Sequence, residues 1–125
     1  SKNGLVSGPN NLAYGSAKAA QIHGTRLLAA ELGKDKIRVN CVNPDAVIGG
    51  SKIWETTGWA EGRVKAYGIT VAELPAFYAS RSLMNEIVYA EDIANGVFAF
   101  VGGHLSKSTG NILNVDGGVA ASFVR

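Results

Sequence analysis

The chain has 125 residues and 13.0 kDa, is 46% hydrophobic and 18% charged, and carries a net charge of +2; this balance fits one compact domain with a real core and excludes disorder. No apolar run approaches the roughly 20 residues that cross a bilayer, the lone cysteine excludes a disulfide framework or a multi-cysteine metal site, and twelve Lys and Arg scattered among ten acids argue little for nucleic acid. The expectation is a cytoplasmic protein with no membrane and no nucleic-acid partner.

The sequence opens at Ser1, without Met, and runs through the turn-rich Ser7-Gly8-Pro9-Asn10-Asn11 into a helix, a start that suggests a chain entered midway. Over residues 11–32 an Asn start signal, a run of helix formers and apolar Leu27, Leu28 and Leu32 predict a helix that Gly33 stops. Residues 37–43 alternate branched apolar and polar side chains, which predicts a strand ended by Pro44-Asp45, with Cys41 inside it as a buried, inert thiol. Residues 49–68 are punctuated by glycine and hold Trp54 and Trp59, so short helical pieces are expected there. Thr70 and Glu73 have capping-box spacing before an apolar stripe of Leu74, Phe77 and Tyr78. Glu91 and Asp92 place acids in the first turn of a helix over 90–101, whose stripe is Ile93, Val97, Phe98 and Val101. A last strand over 111–115 is closed by Asp116-Gly117-Gly118. Strands separated by helices indicate a parallel α/β sheet. Two strands make too small a sheet to stand alone, so neighbouring strands are expected from outside these residues.

The sharpest local pattern is Tyr14-Gly15-Ser16-Ala17-Lys18. Residues four apart on a helix share a face, so an ammonium can sit near a phenol and favour its ionised form, which suits proton transfer. Alone, the spacing also fits a solvated helix pair. His23 stands about half a turn away from Tyr14 around the helix, and His104 follows Gly102-Gly103 in a loop without a metal-ligand partner.

Taken with Ile37-Arg38-Val39-Asn40-Cys41-Val42-Asn43-Pro44, with Asn111-Ile112-Leu113-Asn114-Val115-Asp116-Gly117-Gly118, and with Ser1 thirteen residues before Tyr14, this pattern resembles the C-terminal half of the short-chain dehydrogenase/reductase family. The resemblance implies the C-terminal portion of a Rossmann-type doubly wound parallel sheet with a helical substrate-binding lobe over 50–84. It implies Tyr14 as general acid-base and Lys18 as the group that tunes the phenol and holds the nicotinamide ribose. Ser1 would bind the substrate oxygen, and Pro44 and Val47 would contact the cofactor, the Val47 backbone gripping the carboxamide. Trp54 and Trp59, with Phe77, would line the substrate as a lid. The implied cofactor is NAD or NADP, with NAD favoured, and the implied partners are a small carbonyl or alcohol substrate and further copies of the chain.

Within the family, Pro9-Asn10-Asn11, residues 43–47 and the tryptophan-bearing lobe look like the dehydrogenase part of bifunctional rhamnulose-1-phosphate aldolase/alcohol dehydrogenase proteins, which implies lactaldehyde as substrate. A sugar or polyol dehydrogenase, or an inactive oligomerisation and substrate-lobe module, are the alternatives. Two departures stand out. Asp45 replaces the usual glycine after the proline, and Gly49 stands where a threonine often follows. Neither the family's glycine-rich phosphate loop nor its helix-borne catalytic Asn occurs in these residues, so the nucleotide-binding half is expected to lie outside them and the 125 residues alone to be inactive.

Overall fold

The computed structural model describes residues 1–56 and 58–123. A 3-10 turn (Lys2–Gly4) precedes the long helix α1 (Leu12–Leu32), and strands β1 (Cys41–Pro44) and β2 (Val47–Gly49) follow. A lobe of three short helices comes next: α2 (Ile53–Thr56), α3 (Trp59–Tyr67) and α4 (Leu74–Ala79). Strand β3 (Val88–Tyr89), helix α5 (Ala90–Val101) and strand β4 (Ile112–Val115) complete the order. Among the described residues, the strands form two two-stranded parallel sheets. In one, Cys41 of β1 lies opposite Ile112 of β4 and Pro44 opposite Val115; in the other, Val47 of β2 lies opposite Val88 of β3. Parallel neighbours require a long crossover, which the lobe and α5 supply, so the chain is α/β as expected. No helix among the described residues is long and apolar enough to cross a membrane.

Helix α1 spans the expected residues, yet its ends are built differently. Asn11 occupies the N-cap without a side-chain bond to the helix. Gly33 keeps right-handed dihedrals and passes into a further 3-10 turn, and the left-handed stop falls at Lys36 with φ 60°. Ile22 and Ala29 face inward, whereas Leu27 and Leu28 are exposed.

The strand expected over 37–43 is displaced to Cys41–Pro44 and includes the proline. The physical reason lies opposite: the segment facing residues 38–40 is a turn. Arg38 therefore donates through Nη1 to the Leu105 carbonyl at 3.0 Å, the Val39 N–H to Thr109 Oγ1 at 3.0 Å, and Asn40 Nδ2 to the Ser108 carbonyl at 3.0 Å. Side chains take over where a ladder has no partner. Cys41, at the edge of this irregular stretch, is half-buried rather than enclosed.

Helix α5 has the expected bounds, and Asp92 accepts the Tyr89 N–H at 2.8 Å to close its first turn. The expected stripe, however, points the wrong way: Val97, Phe98 and Val101 are all exposed. The buried contact is made at Gly96, where an added Cβ would lie 3.0 Å from Val115 and 3.5 Å from Val42 and Leu113. The absent side chain lets the helix close onto β1 and β4. Thr70 and Glu73 also depart from a full capping box. The Glu73 carboxylate accepts both the Thr70 N–H (2.7 Å) and the Thr70 hydroxyl (2.8 Å), and α4 begins only at Leu74-Pro75, where proline suits a first turn.

A buried polar chain ties β1 to β4 and to the turn beyond it. Asn43 is fully buried and donates to Asn114 Oδ1 at 2.8 Å, Asn114 donates to the Ser122 carbonyl at 3.0 Å, and Ser122 Oγ lies 2.7 Å from Asp116 Oδ2. Asp116 Oδ1 in turn accepts the Gly118 N–H at 2.9 Å. Gly117 and Gly118 both have positive φ (66° and 85°), as this turn requires. The lobe is held by aromatic contacts, with Tyr67 stacked on Phe77 at 4.6 Å and Trp54 edge-on to Tyr78 at 5.5 Å.

Candidate active site

Tyr14 and Lys18 sit one turn apart on α1, where the 3.6-residue period puts both on one face. The Lys18 ammonium lies 5.4 Å from the centre of the Tyr14 ring and donates to Gln21 Oε1 at 3.0 Å. Tyr14 is 39% exposed, so its phenol is open to solvent and to a ligand.

The turn that bears Ser1 is pressed against this same stretch of α1. A Cβ on Gly4 would lie 2.7–2.8 Å from Ile22 and the Lys18 backbone, and one on Gly15 would lie 3.2 Å from the Asn3 carbonyl. Two glycines thus bring the turn and the helix into backbone contact. Ser1 Oγ accepts the Asn3 N–H at 3.3 Å, which leaves its own proton to donate elsewhere. The turn is tied down at its other side by Lys2, whose ammonium lies 3.0 Å from Asp45 Oδ2 with both side chains nearly enclosed. The unusual Asp45 is therefore the counter-ion of Lys2.

Past Asp45, Val47 lies on β2 and its carbonyl is already engaged: Trp54 Nε1 donates to it at 2.7 Å. Of the expected lid, Trp59 alone meets Tyr14, with ring centres 6.2 Å apart. Trp54 instead packs on Tyr78 and holds β2, and Phe77 stacks on Tyr67 inside the lobe. Trp54 and Phe77 are thus engaged by other rings of the lobe. Gly49 has a local explanation too. A Cβ there would run into the Tyr89 ring, so Tyr89 fills the space that a threonine side chain would take. His23 and His104 are exposed on other parts of the surface.

Between the start of α1 and α3 lies an open groove of about 470 Å³, a size that suits a small ligand. Tyr14, Trp59 and Arg63 line it. The Arg63 guanidinium sits 4.4 Å over the Trp59 ring. Arg63 stands four residues after Trp59 on one helix, a spacing that by itself puts the two on one face. Deeper in the lobe, burial alone would raise the Tyr67 phenol. The hydrogen bond with Tyr78, 3.4 Å away, and the charges of Arg63 and Arg81 outweigh it and hold Tyr67 below the ordinary value of 10.0.

The family described as enoyl-(acyl carrier protein) reductase matches residues 1–120 of the chain. The uncharacterized oxidoreductase YuxG of Bacillus subtilis is 45% identical over 125 residues, covering 100% of this chain and 18% of the relative. Carbonyl reductase [NADPH] 2 of Sus scrofa is 31% identical over 120 residues, covering 94% of this chain and 43% of the relative. The chain thus spans less than half the length of these relatives. A solved short chain dehydrogenase family protein from Francisella tularensis subsp. tularensis SCHU S4 superposes with a TM-score of 0.82 at 27% identity, over 97% of this chain and 48% of the other. The parallel strands and covering helices are accordingly part of a Rossmann-like α/β fold.

Proposed function

The chain belongs to the short-chain dehydrogenase/reductase family, and from that membership together with the Tyr14 groove we propose that it carries the proton-handling part of an NAD(P)-dependent oxidoreductase. The observation that carries the reading is a phenol and an ammonium on one turn of α1 at the wall of a ligand-sized groove. The reaction interconverts an alcohol and a carbonyl compound. The nicotinamide cofactor, when bound, accepts or supplies the hydride.

A nicotinamide nucleotide fits part of these residues. Lys18 offers two further N–H donors beside its bond to Gln21, enough for a ribose diol. The Val47 carbonyl accepts from Trp54 Nε1 and keeps a second lone pair that could receive a carboxamide N–H. Pro44 ends β1 just before this segment and sets its course. The Tyr14 hydroxyl passes a proton to the carbonyl oxygen, or takes it back from the alcohol, with the Lys18 ammonium one turn away on the same face of α1. Ser1 Oγ, with its proton free, holds the same substrate oxygen. Trp59 forms one side of the groove, against the Tyr14 ring.

The phosphate-binding loop would come from residues outside these 125, which form the C-terminal part of the domain with residues 50–84 as the substrate lobe. The 125 residues alone are then expected to bind NADH weakly and to turn nothing over. Lactaldehyde is one substrate reading, resting on the likeness of residues 9–11 and 43–47 to the rhamnulose-1-phosphate aldolase/alcohol dehydrogenase proteins; a sugar or polyol carbonyl is the other. Exposed Leu27 and Leu28 on α1 support pairing between copies of the chain.

In the whole protein, Tyr14→Phe is expected to lower turnover of small hydroxyaldehydes by about 10²- to 10⁴-fold while NADH affinity, measured by fluorescence titration, stays near wild type. Lys18→Ala is expected to weaken NADH binding. Near-normal turnover in Tyr14→Phe across lactaldehyde and a panel of small sugars would overturn the reading.

A further inference from the structure

The groove beside Tyr14 carries a cation that the proton chemistry leaves unused. Arg63 lines the same cavity as Tyr14, lies 4.4 Å over the Trp59 ring, and Trp59 is the ring that Tyr14 touches. The ion pair found among the described residues is Lys2–Asp45, and no carboxylate among them lies within ion-pair distance of Arg63. The Tyr67 phenol, which Arg63 helps to hold below its ordinary value, accounts for part of the guanidinium's donor set. A guanidinium has five N–H donors in a planar fork that matches carboxylate and phosphate oxygens. Stacking on an indole fixes its plane, so less freedom is lost when an anion binds.

We propose that the substrate taken up at Tyr14 carries an anionic group, a carboxylate or a phosphate monoester, which Arg63 receives while the reacting carbonyl faces the Tyr14 hydroxyl. The proposal rests on the Tyr14 reading and narrows its substrate class. It favours the acidic members of the sugar and polyol class over neutral lactaldehyde. In the reducing direction the carbonyl carbon gains a hydride from the reduced nicotinamide and its oxygen gains the Tyr14 proton. The anionic group is unchanged and serves for binding alone. Because the charge acts in ground state and transition state alike, its loss should appear mainly in KM.

The test uses the whole protein and two substrate pairs that match at the carbonyl: glyceraldehyde with glyceraldehyde 3-phosphate, and butanal with succinic semialdehyde. The charged member of at least one pair is expected to have kcat/KM about tenfold or more above its neutral partner. Which pair shows the preference tells phosphate from carboxylate. Arg63→Gln should bring that ratio to within about twofold of one through KM, Arg63→Lys should keep part of it, and added salt should erode it in wild type. Inorganic phosphate should compete with the neutral member in wild type where the phosphate pair is preferred.

Equal kcat/KM within both pairs in wild type, or a ratio that survives Arg63→Gln, overturns the proposal. If Arg63→Gln does not fold, the Arg63→Lys ratio and the salt dependence decide: a ratio indifferent to both overturns it. Turnover that persists in Tyr14→Phe overturns the site reading instead. No turnover of any of the four compounds overturns both.

Discussion

The Lys2 ammonium lies 3.0 Å from Asp45 Oδ2 across 43 residues of sequence, and the two side chains are 7% and 11% exposed. The pair joins the turn that bears Ser1 to the segment that leads into Val47, so two expected contact points of the site share one anchor. Removing one member leaves an uncompensated charge out of water, which typically costs about 3–5 kcal/mol. Asp45→Ala and Lys2→Met, each measured by urea unfolding of the whole protein, are expected to lose a comparable amount. The double variant Lys2→Met/Asp45→Leu should recover most of that loss, since an apolar pair of similar volume leaves no charge stranded. A double variant as unstable as the sum of the singles would show that the pair is not coupled.

Gly49 and Tyr89 form a second dependent pair, because the Tyr89 ring fills the volume of a side chain at position 49. Gly49→Thr, which introduces the residue often found there in the family, is expected to destabilise by about 1–3 kcal/mol through overpacking. Adding Tyr89→Ala should restore much of the melting temperature. If Gly49→Thr melts like wild type, the ring is not what excludes a side chain.

Glu73 accepts two hydrogen bonds from Thr70, through its N–H and its hydroxyl, and these hold the carboxyl below its ordinary value of 4.5. A carboxyl with a lowered folded value adds stability that is fully present above about 4.5 and is lost as pH falls through the lower folded value. Glu73→Gln should therefore flatten that part of the acid limb of melting temperature against pH. Its effect near neutral pH should be small, because the pair is fully exposed. Identical acid limbs for wild type and variant would remove Glu73 from the account.

Helix α1, the bounds of α5 and the parallel arrangement of the strands were legible because each rests on local signals: helix formers in series, acids in a first turn, and helices placed between strands. The Tyr14–Lys18 juxtaposition was legible for the same reason, since a four-residue spacing on a helix fixes two side chains on one face. Which face of α5 is buried was not. The apolar stripe Ile93, Val97, Phe98 and Val101 gave a periodicity, but close approach at Gly96 rotated the contact toward the small residue and left Val97, Phe98 and Val101 exposed.

Sequence alone determined the features set by neighbours within about one helical turn or one strand, and with them the motifs that mark the family. Tertiary structure alone decided which distant groups meet: Lys2 with Asp45, Trp54 with the Val47 carbonyl instead of Tyr14, Tyr89 over Gly49, and residues 38–40 against a turn instead of a strand. A period along the chain specifies direction around one element, whereas a contact between elements depends on how closely their backbones approach, which is a property of packing and of where side chains are missing.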